Sequence, residues 1–274
     1  MKILFYDTKS YDKDSFQETL KDFPGMEIEY TKSDLDPRTA ALAEGFDAVC
    51  GFVSSDVSAR TLSILHNKGI GLVLMRCAGF NNVDLDSARQ YGIRVMRVPG
   101  YSPEAVAEHA MAMLLTSVRR VHKAYIRTRD FNFSLNRLCG FDLHGKTVGV
   151  VGTGKIGKVF IDICKGFGMK ILAYDKFPGK EDYYVTLDEL IQKSDVISLH
   201  CPLTEETHHM INEKTISEMK KGVVIVNTSR GKLIDSEALL DALNEKHART
   251  GVEEYEEYDN TQVISDEELA KLLN

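Results

Sequence analysis

The chain has 274 residues, 43% of them hydrophobic, enough to fill two domain cores. Its net charge of −7 is spread over interspersed acids and bases, which argues against nucleic acid or an anionic membrane surface as a partner. No apolar run approaches the roughly 20 residues of a membrane span, and Met1-Lys-Ile-Leu-Phe-Tyr-Asp7 is too short and too soon acidic for a signal peptide.

Apolar strand patterns alternate with helical ones from end to end, the signature of parallel α/β sheets. Strands are predicted at Ile3–Tyr6, Ile28–Tyr30, Ala48–Phe52, Leu72–Arg76 and Arg94–Val98, with helices at Ser15–Lys21, Ala59–Asn67 and Leu85–Tyr91. They form a first doubly wound domain over residues 1–100. Val98-Pro-Gly-Tyr-Ser-Pro103 marks the boundary, where Ser102 suits an N-cap and Pro103 the first helical position. A long helix is predicted over 103–128. Its first half carries Ala105, Val106, Ala107, Ala110, Met111, Met113, Leu114 and Leu115, so little polar face remains. Such a helix should be buried between domains or subunits, and a homodimer through it is expected.

Residues Asp130–His144 read as a connecting loop. The second domain, 101–274, continues with strands at Thr147–Val151, Lys170–Tyr174, Val196–His200 and Val223–Val226. Helices are predicted at Lys155–Gly166, Leu187–Lys193, Glu213–Lys220 and Ser236–Lys246. Five scattered cysteines (Cys50, Cys77, Cys139, Cys164, Cys201) form no C-x-x-C pair, and the eight histidines show no metal-ligand spacing. Adjacent His208 and His209 would point apart on a regular element. Neither a disulfide framework nor a metal site is expected, and a reducing cytoplasm is the expected location.

The most informative stretch is Thr147-Val-Gly-Val-Val-Gly-Thr-Gly-Lys-Ile-Gly157. A strand runs into Gly152, Gly154 and Gly157, and an amphipathic helix opens at once. Backbone N–H groups and the positive helix end can there meet a pyrophosphate. Gly152 allows the turn, Gly154 lets the phosphates approach, and Gly157 lets the helix sit close to the strand. The next strand ends in Asp175, 18 residues after Gly157, where a ribose 2′-hydroxyl needs an acceptor. That carboxylate disfavours a 2′-phosphate, so NAD is expected over NADP; neighbouring Lys176 weakens the preference only slightly.

Two further strand ends carry candidate residues, Val196-Ile-Ser-Leu-His-Cys-Pro-Leu-Thr204 and Val223-Val-Ile-Val-Asn-Thr-Ser-Arg-Gly231. Ligands of such sheets sit beyond the carboxyl ends of the strands. A guanidinium there, Arg230, needs an anionic partner or solvent. It can pair with a nearby Asp or Glu, or serve as a fork that binds a carboxylate and polarises a carbonyl.

Four blocks together resemble the D-2-hydroxyacid dehydrogenase family, and within it the D-lactate dehydrogenase branch. They are Arg76-Cys-Ala-Gly-Phe-Asn-Asn-Val-Asp84, Val98-Pro-Gly-Tyr-Ser-Pro-Glu-Ala-Val-Ala-Glu-His109, Gly152-Thr-Gly-Lys-Ile-Gly157 and Asn227-Thr-Ser-Arg-Gly231. The resemblance runs from Lys2 to about Lys246. It implies a flavodoxin-like substrate domain, a Rossmann NAD-binding domain, and reduction of a small 2-keto acid to the D-2-hydroxy acid, foremost pyruvate to D-lactate. It further implies that Ala78 and Gly79 hold the substrate carboxylate through N–H groups, that Tyr101 lines the pocket, and that Arg230 binds the carboxylate and orients the ketone. Val106, Lys155, Ile156, Asp175, Cys201, Pro202, Thr207, Thr228 and Ser229 match positions lining the NAD site, beside the three glycines and Arg230.

The family's acid/base histidine has no counterpart in this chain and belongs to a continuation beyond residue 274. The chain is therefore expected to be incomplete at its C-terminus, without the return helix of its first domain, and to bind NADH while reducing pyruvate poorly. For the glutamate partner of that histidine, one alignment places Glu253 and Tyr258 at the family's two acidic positions and another places Glu254 and Asp259 there. A catalytically silent NAD(H)-binding paralogue or redox-sensing module is one alternative. The same fold acting on hydroxypyruvate, phosphoglycerate or formate is the other.

Overall fold

The computed structural model describes residues 1–249 and 262–265, with side chains as far as residue 244. The chain divides into two compact units, Met1–Tyr101 and Ser102–Asn274. Each is built on a five-stranded, wholly parallel sheet.

The first unit runs β1 (Lys2–Phe5), α1 (Ser10–Thr19), β2 (Glu27–Tyr30), β3 (Ala48–Gly51), α2 (Ala59–Asn67), β4 (Leu72–Met75), α3 (Leu85–Gln90) and β5 (Arg94–Arg97). The strand order β2-β1-β3-β4-β5 is that of a flavodoxin-like sheet. One face of the sheet is covered by Leu35, Ala43, Leu62, Leu65 and Ile93, the other by Phe16 against Ile3 and Phe5. Helix α1 starts at Ser10, well before the predicted Ser15, because the Asp12 carboxylate accepts from the Lys9 N–H at 2.8 Å and closes the first turn. Its opening residues are mostly polar, so hydrophobic periodicity does not mark this start.

The second unit opens with α4 (Pro103–Arg119), capped by Ser102, whose hydroxyl accepts from the Ala105 N–H at 3.1 Å, with Pro103 in the first turn. The single helix predicted over 103–128 is in fact two. Arg120 takes a left-handed conformation (φ 52°, ψ 36°) and α5 (Val121–Arg129) follows. Gly140 of the following loop presses on the Val118 carbonyl where a Cβ could not fit, so the loop crosses α4 at its end. Leu114 is fully buried against Phe160, Ile161, Val148 and Val224, and Met113 is 1% exposed. Ala107, Ala110, Met111, Met113 and Leu114 are thus covered within the chain, while Ala105 is exposed and Val106 and Leu115 are half-buried. Larger exposed apolar groups lie further on, at Val121, Tyr125, Ile126, Phe131, Phe133 and Leu135.

The unit continues as β6 (Thr147–Val151), α6 (Lys155–Gly166), β7 (Lys170–Tyr174), α7 (Leu187–Lys193), β8 (Val196–Leu199), α8 (Glu213–Glu218), β9 (Val224–Asn227), α9 (Ser236–Arg249) and β10 (Gln262–Ser265). Side chains alternate as a sheet covered on both faces requires. Val148, Val150, Val196, Val224 and Val226 meet α4 and α6, while Val151, Ile197, Leu199 and Ile225 meet the α7 and α9 side. The order is β10-β9-β8-β6-β7, and Tyr184 adds a parallel bridge to Ala173 on the outer side of β7. Counting that bridge as a reduced third strand, the order is the 3-2-1-4-5-6 of a dinucleotide-binding sheet, with its switch point between β6 and β8. Leu114→Ala should lower stability by roughly 2–5 kcal/mol in urea denaturation. Leu42→Ala, at a side chain 54% exposed, should cost less than about 0.5 kcal/mol.

Candidate active site

β6 ends where the glycine turn begins. Gly152 has φ 92°, and a Cβ on it would stand 2.6 Å from the Cys201 nitrogen, against the peptide that leaves β8. A Cβ on Gly157 would collide with the Gly152 carbonyl oxygen, so only glycine lets α6 start this close to the strand. Gly154 is the N-cap of α6, and nothing lies within 4 Å of where its Cβ would be. The turn therefore offers an open face at a helix N-terminus, flanked by Lys155 and half-buried Ile156, which suits a pyrophosphate.

Asp175 follows β7 and is tied back to this turn. Its Oδ2 accepts from the Thr153 N–H at 2.6 Å and from the Thr153 hydroxyl at 3.0 Å, and its Oδ1 accepts from the Phe177 N–H at 2.9 Å. Tyr184 donates its hydroxyl to Thr153 Oγ1 at 2.9 Å, which continues the chain of bonds outward. Burial acts to raise the Asp175 carboxyl, but these donors outweigh it and hold it below the usual carboxylate range. It is an anion at neutral pH, half-buried, with lone pairs remaining for a ligand hydroxyl.

The end of β8 contributes His200, Cys201 and a loop. Thr207 braces that loop: its hydroxyl donates to the Pro202 carbonyl at 2.7 Å and accepts from the Thr204 N–H at 2.8 Å. Cys201 is buried with its sulfur 3.7 Å from that of Met210, and burial pushes the thiol up to about 11, so it stays protonated. His208 and His209 stack at 3.9 Å rather than diverging, because His209 takes a left-handed conformation (φ 51°) in an irregular segment. His200 is half-buried, its Nε2 2.9 Å from Ser198 Oγ, its ring 5.0 Å from that of Phe160, and its Nδ1 without a partner. Burial pushes it down to about 4.

β9 ends in Asn227, which builds the next turn. Its Oδ1 accepts from the Ser229 N–H at 3.0 Å and its Nδ2 donates to the Arg230 carbonyl at 2.9 Å. Ser229 donates its hydroxyl to the Leu199 carbonyl at 2.9 Å, linking the turn to β8. Arg230 is thereby presented at the carboxyl end of the sheet, half-buried, with Nη1 donating to the Ser229 carbonyl at 2.8 Å. The Thr228 hydroxyl is buried in the same turn without a partner. Asn227 was not among the expected site residues; an Asn before Thr-Ser at a strand end is a turn signal that could have marked it.

In the first unit, Ala78 and Gly79 follow β4 in a loop held at its start. The Arg76 guanidinium lies between the Phe5 and Phe52 rings, 4.6 and 4.4 Å from their centroids, and donates to the Tyr6 and Asp7 carbonyls at 2.9 and 2.6 Å. Arg97 donates to the Ala78 carbonyl at 3.0 Å and covers the Phe80 ring. Tyr101 is 68% exposed at the last position of this unit, and Val106 is half-buried on α4 of the next. Glu253, Glu254, Tyr258 and Asp259 lie outside the described residues. Among the described residues, no group of three or more His, Cys, Asp or Glu could hold a metal ion, and no helix is long and apolar enough to cross a membrane.

Residues 111–271 match the family model of the D-isomer specific 2-hydroxyacid dehydrogenase NAD-binding domain. The chain belongs to the D-2-hydroxyacid dehydrogenase family. The D-lactate dehydrogenase of Escherichia coli K12 is 52% identical over 262 residues, covering 93% of this chain and 79% of that protein. A 2-hydroxyacid dehydrogenase homologue of Haemophilus influenzae is 50% identical over the same shares. Among solved structures, apo D-lactate dehydrogenase from E. coli superposes with a TM-score of 0.83 at 45% identity, covering 99% of this chain and 93% of that one. D-lactate dehydrogenase from Aquifex aeolicus, complexed with NAD and lactic acid, gives 0.77 at 32% identity, covering 98% and 91%. The second unit of this family member is an NAD-binding domain, and the chain is an NAD-dependent 2-hydroxyacid dehydrogenase by kinship.

His200, its pKa lowered, should make the protein acid-sensitive. It is neutral when folded and titrates near 6.5 when unfolded, so the unfolded chain binds the extra proton and stability falls as pH drops from about 6.5 toward about 4. Between pH 7 and pH 5 this group should cost about 2 kcal/mol. Urea titrations of the parent and His200→Gln at the two pH values measure it. A loss of equal size in both proteins would contradict the assignment.

Proposed function

We propose that the protein uses NADH to reduce a small 2-keto acid to the D-2-hydroxy acid, with pyruvate to D-lactate as the reaction. The observation that carries this reading is the Asn227-built turn, which offers Arg230 at the same sheet end as the glycine turn and Asp175. Bound NADH supplies the hydride for the keto carbon. Gly152, Gly154 and Gly157 give its pyrophosphate a helix N-terminus, and Asp175 accepts from the ribose hydroxyls. Val106, Cys201, Pro202, Thr207, Thr228 and Ser229 line the remainder of the cofactor site. Arg230 pairs with the substrate carboxylate and withdraws charge from the keto oxygen as it becomes negative. Within the first unit, the N–H groups of Ala78 and Gly79 are assigned to carboxylate binding and Tyr101 to lining a substrate pocket. The alkoxide left by hydride transfer takes its proton from water, because no acid/base group is assigned among the described residues and burial keeps His200 neutral at pH 7.

NADH oxidation with pyruvate, with the product resolved by chirality, tests the reading. Arg230→Gln should lower kcat/KM for pyruvate about a hundredfold, the loss of a charge-assisted pair in the transition state. Formation of L-lactate, or an Arg230→Gln enzyme as fast as the parent, would overturn it. Binding of NADH with no turnover of any keto acid would select a silent NAD(H)-binding module. Preference for hydroxypyruvate would select a sister activity.

We also propose that the protein is a homodimer whose second copy covers residues 121–135, where Tyr125, Phe131, Phe133 and Leu135 stand exposed. Light scattering at micromolar concentration should give twice the chain mass for the parent and a mass shifted toward monomer for Phe133→Glu. A parent that is monomeric would refute the dimer.

A further inference from the structure

Lys176 follows Asp175 beyond β7, and Glu206 sits in the loop that follows β8. β7 and β8 flank β6 on opposite sides. A contact between residues at these two ends therefore crosses the carboxyl end of β6, where the glycine turn lies. Such a contact exists. Lys176 Nζ donates to Glu206 Oε1 at 2.8 Å and to Oε2 at 2.6 Å.

The pair is not needed to hold its surroundings together. Both side chains are largely exposed, 62% and 68%, and exposed pairs add little stability. The loop carrying Glu206 is braced internally by Thr204, Thr207 and the Pro202 carbonyl. What the pair alters is the charge at the mouth of the nucleotide groove. A lysine next to the ribose acceptor is a compact cation of the kind that binds phosphate. Glu206 occupies it with both oxygens and brings a further negative charge to the neighbour of Asp175. Together the three side chains leave one net negative charge, which suits a ribose hydroxyl and opposes a phosphate dianion.

We propose that Glu206 is a cofactor-specificity residue: by holding Lys176 across the end of β6 it keeps the lysine from serving a 2′-phosphate and so reinforces selection of NAD(H) over NADP(H). The proposal rests on the reading of the glycine turn and Asp175 as the dinucleotide site. It adds a second control on specificity, placed in a different loop from Asp175.

The test is fluorescence titration of NADH and NADPH against the full chain and the variants Glu206→Gln, Lys176→Met, their double and Asp175→Ala. Glu206→Gln should raise affinity for NADPH about two- to fivefold and leave that for NADH nearly unchanged, the scale of one exposed ion pair. Adding Lys176→Met should remove the gain, and so should high salt. An unchanged NADPH-to-NADH ratio in Glu206→Gln, or a gain that survives Lys176→Met, overturns the proposal. If Asp175→Ala relaxes the ratio and Glu206→Gln does not, the dinucleotide reading stands and the proposal alone falls. If the parent binds neither nucleotide, both fall.

Discussion

The second unit is organised around a close approach that only glycine permits. α6 begins where a Cβ on Gly157 would strike the Gly152 carbonyl, and Gly152 turns against the peptide leaving β8. This contact fixes three things at once: the distance of α6 from the sheet, the direction of its N-terminal N–H groups, and the spacing between the ends of β6 and β8. A helix start displaced by one side chain would present those groups elsewhere. Asp175 then closes the arrangement by taking the Thr153 N–H and hydroxyl, so the turn is pinned to β7 on one side and β8 on the other.

Around this centre the ends of β7 and β9 carry candidate groups, and each is positioned by its neighbours. Asn227 shapes the turn that carries Arg230, and Ser229 anchors that turn to β8. The first unit solves a similar problem with charge. Arg76 is nearly enclosed by two phenyl rings and spends its donors on the carbonyls of Tyr6 and Asp7, while Arg97 takes the carbonyl of Ala78. The loop bearing Ala78 and Gly79 is thus tethered at both its approach and its tip. Such bracing leaves the loop little freedom to reorganise.

The parts of this structure legible in the sequence are those set by local rules. β6, α6, β7 and α7 occupy their predicted residues, because a strand covered on both faces, a glycine turn and an amphipathic helix each leave a direct mark. Where tertiary contacts decide, the marks are missing. The break at Arg120 falls at an Arg-Arg pair without glycine, beside the loop that Gly140 brings against the Val118 carbonyl. The third strand of the second sheet shrinks to a bridge at Tyr184, too short to carry a periodic pattern. The Asp175–Thr153–Tyr184 chain joins residues from three elements and has no spacing signal at all.

A crystal structure of the protein with NADH bound examines the central claim, that the glycine turn pinned by Asp175 is the seat of the dinucleotide. The pyrophosphate should lie against the backbone N–H groups at the start of α6, the ribose hydroxyls on the Asp175 carboxylate, and α6 should be unmoved relative to β6. A nucleotide bound away from that turn, or one that reaches it only after α6 shifts from the strand, would show that the turn is not its seat.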